Sequence, residues 1–166
     1  MGIEISGKLI LASASPRRIE LLKLMGLAFE VMPSGIDEDE RRGETPREHA
    51  LRLSEEKALA VARHHPDAWV LGADTIVIID REVLGKPGSS AEAKEMLEKL
   101  SGREHEVFTG FSIAGRGKGV LIREVVESTV LFREIAPDEM AWYIASDEPY
   151  DKAGAYAVQG TLCHRI

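Results

Sequence analysis

An apolar run, Leu9-Ile10-Leu11-Ala12, stops at Ser13-Ala14-Ser15, and Pro16-Arg17-Arg18 follow at once. That order restricts the opening of the fold to a buried strand, a tight serine-rich connection and a helix. Ser15 suits the N-cap and Pro16 the first helical position, and Ile19, Leu21, Leu22 and Met25 space as one helix that closes at Gly26. Arg17 and Arg18 then fall in its first turn, where the helix dipole disfavours each cation by roughly 0.3–1 kcal/mol. An anion at that end would reverse the sign. Free backbone N–H groups, the hydroxyls of Ser13 and Ser15 and the forks of Arg17 and Arg18 would together hold a polyphosphate. A capped surface helix with solvated arginines fits the same residues, and spacing alone does not choose between them.

With 166 residues, 44% of them hydrophobic, the chain can bury one sizeable core. No Pro/Gly/Ser-rich linker divides it, so one domain over residues 1–166 is expected. A formal net charge of -7 argues against a nucleic-acid polymer or an anionic membrane as partner, while a local basic cleft could still take a small anion. Cys163 is the one cysteine, which excludes a disulfide framework and a Cys-rich zinc site and suits a reducing compartment. Met1-Gly2-Ile3-Glu4 lacks the basic region of a signal peptide, and no apolar run approaches the roughly 18 residues that span a bilayer. A cytoplasmic chain is the expectation. Neither G-x-x-x-x-G-K-[ST], H-E-x-x-H nor G-x-S-x-G occurs, which disfavours a P-loop kinase, a zincin and an α/β-hydrolase.

Phe29 to Met32 reads as a short strand leading to the acidic loop Asp37-Glu38-Asp39-Glu40. Thr45-Pro46-Arg47-Glu48 has the form of a capping box and predicts a helix to about His64. Trp69 to Asp80, rich in Val and Ile, reads as a long strand that turns at Asp80-Arg81-Glu82 into Val83-Leu84. Ser89 with Glu92 opens a second boxed helix, with Ala93, Met96, Leu97 and Leu100 facing inward and Gly102 as its stop. Strands over Val107 to Ala114 and Val120 to Phe132 flank the loop Gly115 to Gly119, and Pro137 opens a last helix carrying Met140, Tyr143 and Ile144. Short turns between adjacent strands imply antiparallel pairs. The fold class is therefore α/β, a mixed sheet with flanking helices.

Asp74 stands among Val70, Leu71, Ile76 and Val77, in or beside a buried strand. Ionised and unpartnered in a dry site it would cost several kcal/mol, so it must be hydrogen-bonded, metal-bound or held protonated. A functional acid and a strand-end turn cap both answer that need. Lys57 breaks an otherwise apolar stripe of Ala50, Leu53 and Val61, which fits either an amine aimed into a cleft or one that snorkels outward. Lys86 precedes Pro87 and is extended, but means little alone. In the acidic run, Asp37 and Glu38 are candidate ligands for a hard cation such as Mg²⁺, against the plain alternative of a solvated loop. Gln159, in Asp151 to Gly160, could read a nucleobase edge or simply sit in a turn.

In this order, Ser13-Ala14-Ser15-Pro16-Arg17-Arg18, Gly72-Ala73-Asp74-Thr75, Leu84-Gly85-Lys86-Pro87, Leu100-Ser101-Gly102 and Glu148 to Tyr156 resemble the Maf family of nucleoside-triphosphate pyrophosphatases, also called septum-formation inhibitors. The resemblance implies a mixed α/β fold like that of the inosine-triphosphatase group, with a deep central cleft. It implies hydrolysis between the α- and β-phosphates to a monophosphate and pyrophosphate, with Mg²⁺ or Mn²⁺ as cofactor. Asp74 matches the general base, and Ser13, Arg17, Lys57 and Lys86 match positions facing the phosphates. Asp37 falls where the family carries an acid near the metal. Arg17, Thr75 and Gln159 match positions linked with base choice. The Ser-Pro-Arg-Arg version is similar to the branch that prefers dTTP and UTP.

After Gly160 the family normally continues into another strand and a final helix, whereas this chain reads Thr161-Leu162-Cys163-His164-Arg165-Ile166. The expectation is a chain without that C-terminal strand and helix, with lowered stability or an altered homodimer. The alternative function is a nucleotide-binding regulator of cell division with weak or no turnover.

Overall fold

A computed structural model describes residues 7–39, 41–115, 119–158 and 160–162. The elements run β1 (Lys8–Leu11), α1 (Pro16–Leu24), β2 (Glu30–Val31), α2 (Pro46–Ala62), β3 (Ala68–Ile79), β4 (Glu82–Leu84), α3 (Ser90–Leu100), β5 (Glu104–Gly115), β6 (Val120–Leu131) and α4 (Pro137–Ile144). Two short 3-10 turns, Glu148–Asp151 and Ala153–Ala155, follow. The strands form one sheet in the order β2-β1-β3-β5-β6, with β4 also on β3. β1 pairs in parallel with β2 and β3, and β3 pairs antiparallel with β4, so the sheet is mixed as the turn pattern implies.

The chain divides into two compact units, one of residues 1–74 and 109–126 and the other of residues 75–108 and 127–166. In the first, β1 lies in register with β3 from Lys8↔Ala68 to Leu11↔Leu71. Its core is Ile10, Ala12, Val61, Ala68 and Val70. Helix α1 starts at Pro16 as expected and ends in a Schellman motif, with Gly26 N–H on Lys23 O and Leu27 N–H on Leu22 O. Ser15 is its N-cap by backbone, yet the side chain caps nothing. Instead Ser13 Oγ accepts from the Ser15 amide at 3.2 Å. The box on α2 is complete: Thr45 Oγ1 accepts from Glu48 N–H and Glu48 Oε2 accepts from Thr45 N–H. The Phe29 to Met32 strand shrinks to Glu30–Val31, two exposed residues.

The second unit is built around Val77, Ile79, Leu84, Leu97, Leu100, Phe132, Tyr143 and Tyr156. Its hairpin turns on Asp80 and Arg81, both left-handed at φ 53° and 68°, the arrangement of a type I′ turn. Neither residue is the glycine or asparagine such a turn prefers. Arg103 compensates by placing Nη2 on both Asp80 oxygens at 2.7 and 2.8 Å. The second box is half made, since Ser89 Oγ accepts from Glu92 N–H while the Glu92 carboxylate turns back to Gly88 N–H. Arg116 to Lys118, in the predicted glycine loop, lie outside the described residues; beside them Gly115 N–H reaches Gly119 O.

His105, Phe132 and Tyr156 meet edge to face with centroids 4.7–5.3 Å apart. His105 Nε2 lies 2.6 Å from the Tyr156 hydroxyl. Burial pushes the imidazole pKa below its ordinary value, offset in part by the Arg103 main chain. A histidine buried neutral lets the unfolded chain bind the extra proton first. Stability contributed by His105 is therefore present above about pH 6.5 and falls, by up to about 1.4 kcal/mol per pH unit, as pH drops from there toward the folded pKa. Urea midpoints between pH 8 and 5.5 should fall less steeply in His105→Gln than in the parent chain.

Candidate active site

Helix α2 lies against β3 and β5 at backbone contact. A Cβ on Gly72 would sit 2.2 Å from Ser54 O and 2.5 Å from Ala58 N, and one on Gly110 would sit 2.3 Å from Ala50 O. Any larger residue at either strand position would lift the helix. On the inward face of α2, Ala50, Leu53, Ala58 and Val61 are buried, and so is Lys57. Its ammonium does not snorkel out. Nζ lies 2.7 Å from Asp74 Oδ1, and both side chains are only 8% exposed. Asp74 is mid-strand, not a turn cap, and its burial is answered by this ion pair. Lys57 Nζ also lies 2.7 Å from Glu38 Oε1, so two carboxylates converge on one ammonium.

Arg18 approaches the same cluster from α1. Its Nη1 donates to Ala73 O at 2.7 Å and to Ser13 Oγ at 3.1 Å. Burial pushes its pKa down, while the negative charges of Asp74 and Glu38 push it up. The first-turn cation that looked misplaced from sequence is thus turned inward toward acids. Arg17 and Ser15 are half-buried beside it. The first unit therefore brings together Ser13, Arg18, Glu38, Lys57 and Asp74. Asp37 is exposed in the loop, and Glu38 is the acid of that run that reaches Lys57.

In the second unit Thr75, half-buried, follows Asp74 along β3, and Lys86 is exposed just after β4. Gln159 lies outside the described residues. Glu44 and Arg52 escaped the sequence reading. Arg52 Nε and Nη2 clasp the two Glu44 oxygens at 2.6 and 2.8 Å, and the Arg52 fork, joined by His49 and the Arg41 amide, holds Glu44 down at about 2 against its desolvation. The signal that could have found them is Arg52 and Glu56 at i,i+4 on the helix that follows an acidic loop.

Two carboxylate oxygens 2.7 Å from one cation, beside a guanidinium and a buried hydroxyl, form one charged cluster on a mixed α/β scaffold. The family model described as Maf-like protein matches residues 8–166. The chain is 60% identical over 156 residues to the dTTP/UTP pyrophosphatase of Syntrophus aciditrophicus (strain SB), covering 94% of this chain and 76% of that protein. It is 51% identical over 152 residues to the protein of the same name from Myxococcus xanthus (strain DK1622), covering 92% and 76%. Among solved structures, the Staphylococcus aureus Ham1 protein aligns with a TM-score of 0.49 and 21% identity over 78% of this chain and 72% of that one. The chain belongs to the Maf-like protein family. Among the described residues no helix is long and apolar enough to cross a membrane.

Replacing Gly72 by Ala drives a methyl into the backbone of α2 and should cost about 1–3 kcal/mol, the range for overpacking a rigid site. Urea denaturation of Gly72→Ala measures the loss. A midpoint equal to the parent's would mean that α2 is free to lift from β3.

Proposed function

We propose that this chain is a nucleoside-triphosphate pyrophosphatase that hydrolyses dTTP and UTP to the monophosphate and pyrophosphate. The observation that carries the reading is the buried Lys57–Asp74 pair, with Glu38 on the same ammonium and Arg18 alongside, in a chain whose relatives bear that activity in their names. Asp74 accepts the proton of a water that attacks the α-phosphorus, and the bond from that phosphorus to the oxygen bridging to the β-phosphorus breaks. Lys57 holds the Asp74 carboxylate in place and, with Arg18, offsets the negative charge that grows on the phosphate oxygens. Ser13 and Ser15 and the first turn of α1, with Arg17, take the outer phosphates. Lys86 as a further phosphate contact, and Arg17, Thr75 and Gln159 in base choice, rest on the family resemblance.

A divalent cation fits the donor set. Hard Mg²⁺ or Mn²⁺ takes carboxylate and phosphate oxygens, and Glu38 brings a half-exposed carboxylate to the rim of the buried centre, 2.7 Å from Lys57 Nζ. Glu38, with Asp37 beside it in the same loop, would hold it, which leaves Asp74 to act as the base. Among the described residues no cluster of three or more His, Cys, Asp or Glu stands at metal-ligand geometry, so substrate oxygens complete the set in this reading. Bound there, such an ion would supply positive charge against the phosphate oxygens. The substrate is a nucleoside triphosphate, and the surroundings are those of cytoplasmic nucleotide metabolism.

The test incubates the chain with dTTP, UTP, GTP and 7-methyl-GTP in Mg²⁺ and in Mn²⁺ and resolves the products. Monophosphate plus pyrophosphate is expected, fastest with dTTP and UTP, and Asp74→Asn should lower kcat at least about 100-fold. Diphosphate plus phosphate would mean a different bond. Binding without cleavage would overturn the reading in favour of a nucleotide-binding regulator.

A further inference from the structure

Glu38 is half-exposed on a loop, and its Oε1 still meets a buried lysine at 2.7 Å. Fixing a long glutamate side chain in one geometry costs rotamer entropy. The loop that carries it is tied down one residue away. Arg52, from the outer face of α2, donates Nη2 to the main-chain oxygen of Asp39 at 3.0 Å. Its other hydrogen bonds go to α2 and to the segment leading into it. Nε and Nη2 grip the Glu44 carboxylate, and Nη1 reaches Glu56 Oε2 at 3.1 Å. Arg41 closes the set, with Nη2 on Glu56 Oε1 at 2.6 Å. His49 Nδ1 lies 3.0 Å from the same Glu44 and is buried.

We propose that Arg52 is the positioning residue of this site: it straps the acidic loop onto α2 and so delivers Glu38 to Lys57. One guanidinium joins the carbonyl next to Glu38, the residue before the helix N-cap and the next turn of the helix that carries Lys57. The loop and the lysine therefore move as one body. A planar fork is required, because the grip on Glu44 is two-pronged while a third and fourth contact point elsewhere, and a lysine offers a single point of charge. The inference deepens the proposed metal role of Glu38 and rests on that reading for its effect on cation binding.

The experiment compares the parent chain with Arg52→Lys, Glu38→Gln and the double variant, each checked for native melting. Mn²⁺ binding is followed by electron paramagnetic resonance with the non-hydrolysable α,β-imido analogue of dUTP bound, and amide hydrogen exchange is followed across residues 37–44. Arg52→Lys and Glu38→Gln should each weaken Mn²⁺ about tenfold, and the double variant should bind no more weakly than the weaker single one, since Arg52 acts through Glu38. Additive losses, or Mn²⁺ affinity unchanged in Arg52→Lys while Glu38→Gln is weakened, would overturn the proposal. Exchange in the loop should quicken in Arg52→Lys and stay at the parent rate in Glu38→Gln. Unchanged exchange in Arg52→Lys overturns the strap whatever the metal does. Parent-like Mn²⁺ binding in Glu38→Gln with faster exchange in Arg52→Lys would instead remove the metal role of Glu38 and keep the strap.

Discussion

The approach of α2 to the sheet at backbone distance governs the first unit. Where Gly72 and Gly110 leave no side chain, the helix settles onto β3 and β5 with its carbonyls almost touching the strands. That depth puts an amine at Lys57 within 2.7 Å of a carboxylate at Asp74, although the two groups stand on different kinds of element 17 residues apart. Close packing leaves little slack, so a shift of even one methyl group in depth would strand two buried charges. On the same contact face the fully buried Ser112 hydroxyl donates to Ser54 Oγ at 2.8 Å, and Ser54 donates in turn to the Leu51 carbonyl. Apolar burial, glycine spacing and polar pairing are there one arrangement.

Charge is handled in layers around that contact. The innermost layer is the Lys57–Asp74 pair, the next is Glu38 and Arg18, and the outer layer is the clasp of Arg52, Glu44, Glu56 and Arg41. Surface ion pairs singly contribute little, but a bidentate arginine that also binds a carbonyl fixes geometry as well as charge. The outer layer meets the inner one through the Asp39 carbonyl, next to Glu38, which Arg52 holds at 3.0 Å.

Most of the element order was legible in local signals. The Thr45–Glu48 box, proline at the first helical position of α1, α2 and α4, the Val/Ile run of β3 and the Asp80 turn each act within a few residues, where side-chain chemistry and backbone conformation are directly coupled. The charged interruptions of apolar patterns, Asp74 and Lys57, were legible as oddities. Their pairing was not, because nothing in a helix stripe says which strand residue it will meet. Arg18 shows the limit well. Read locally it is a first-turn cation awaiting an anion, whereas over 55 residues of separation it finds the Ala73 carbonyl. Arg52 and Glu44 passed unnoticed for the same reason: on a polar helix face and in the loop before it, both look like solvated charge.

One margin of the sheet has a consequence for how the chain behaves in bulk. β6 ends the strand order, and along its twelve residues nearly every side chain is exposed, Leu121, Ile122, Val126 and Leu131 among them. It carries no proline, glycine or lysine, and the charges of Arg123, Glu124 and Glu127 are what it has to blunt such an edge. The net charge of -7 opposes such pairing, a long-range repulsion with a reach of about 8 Å at physiological ionic strength and less as salt rises. The attraction between edges is short-ranged and is not weakened by salt. Colloidal stability is therefore a contest that added electrolyte tilts in one direction, so this acidic chain is best kept dispersed in dilute buffer.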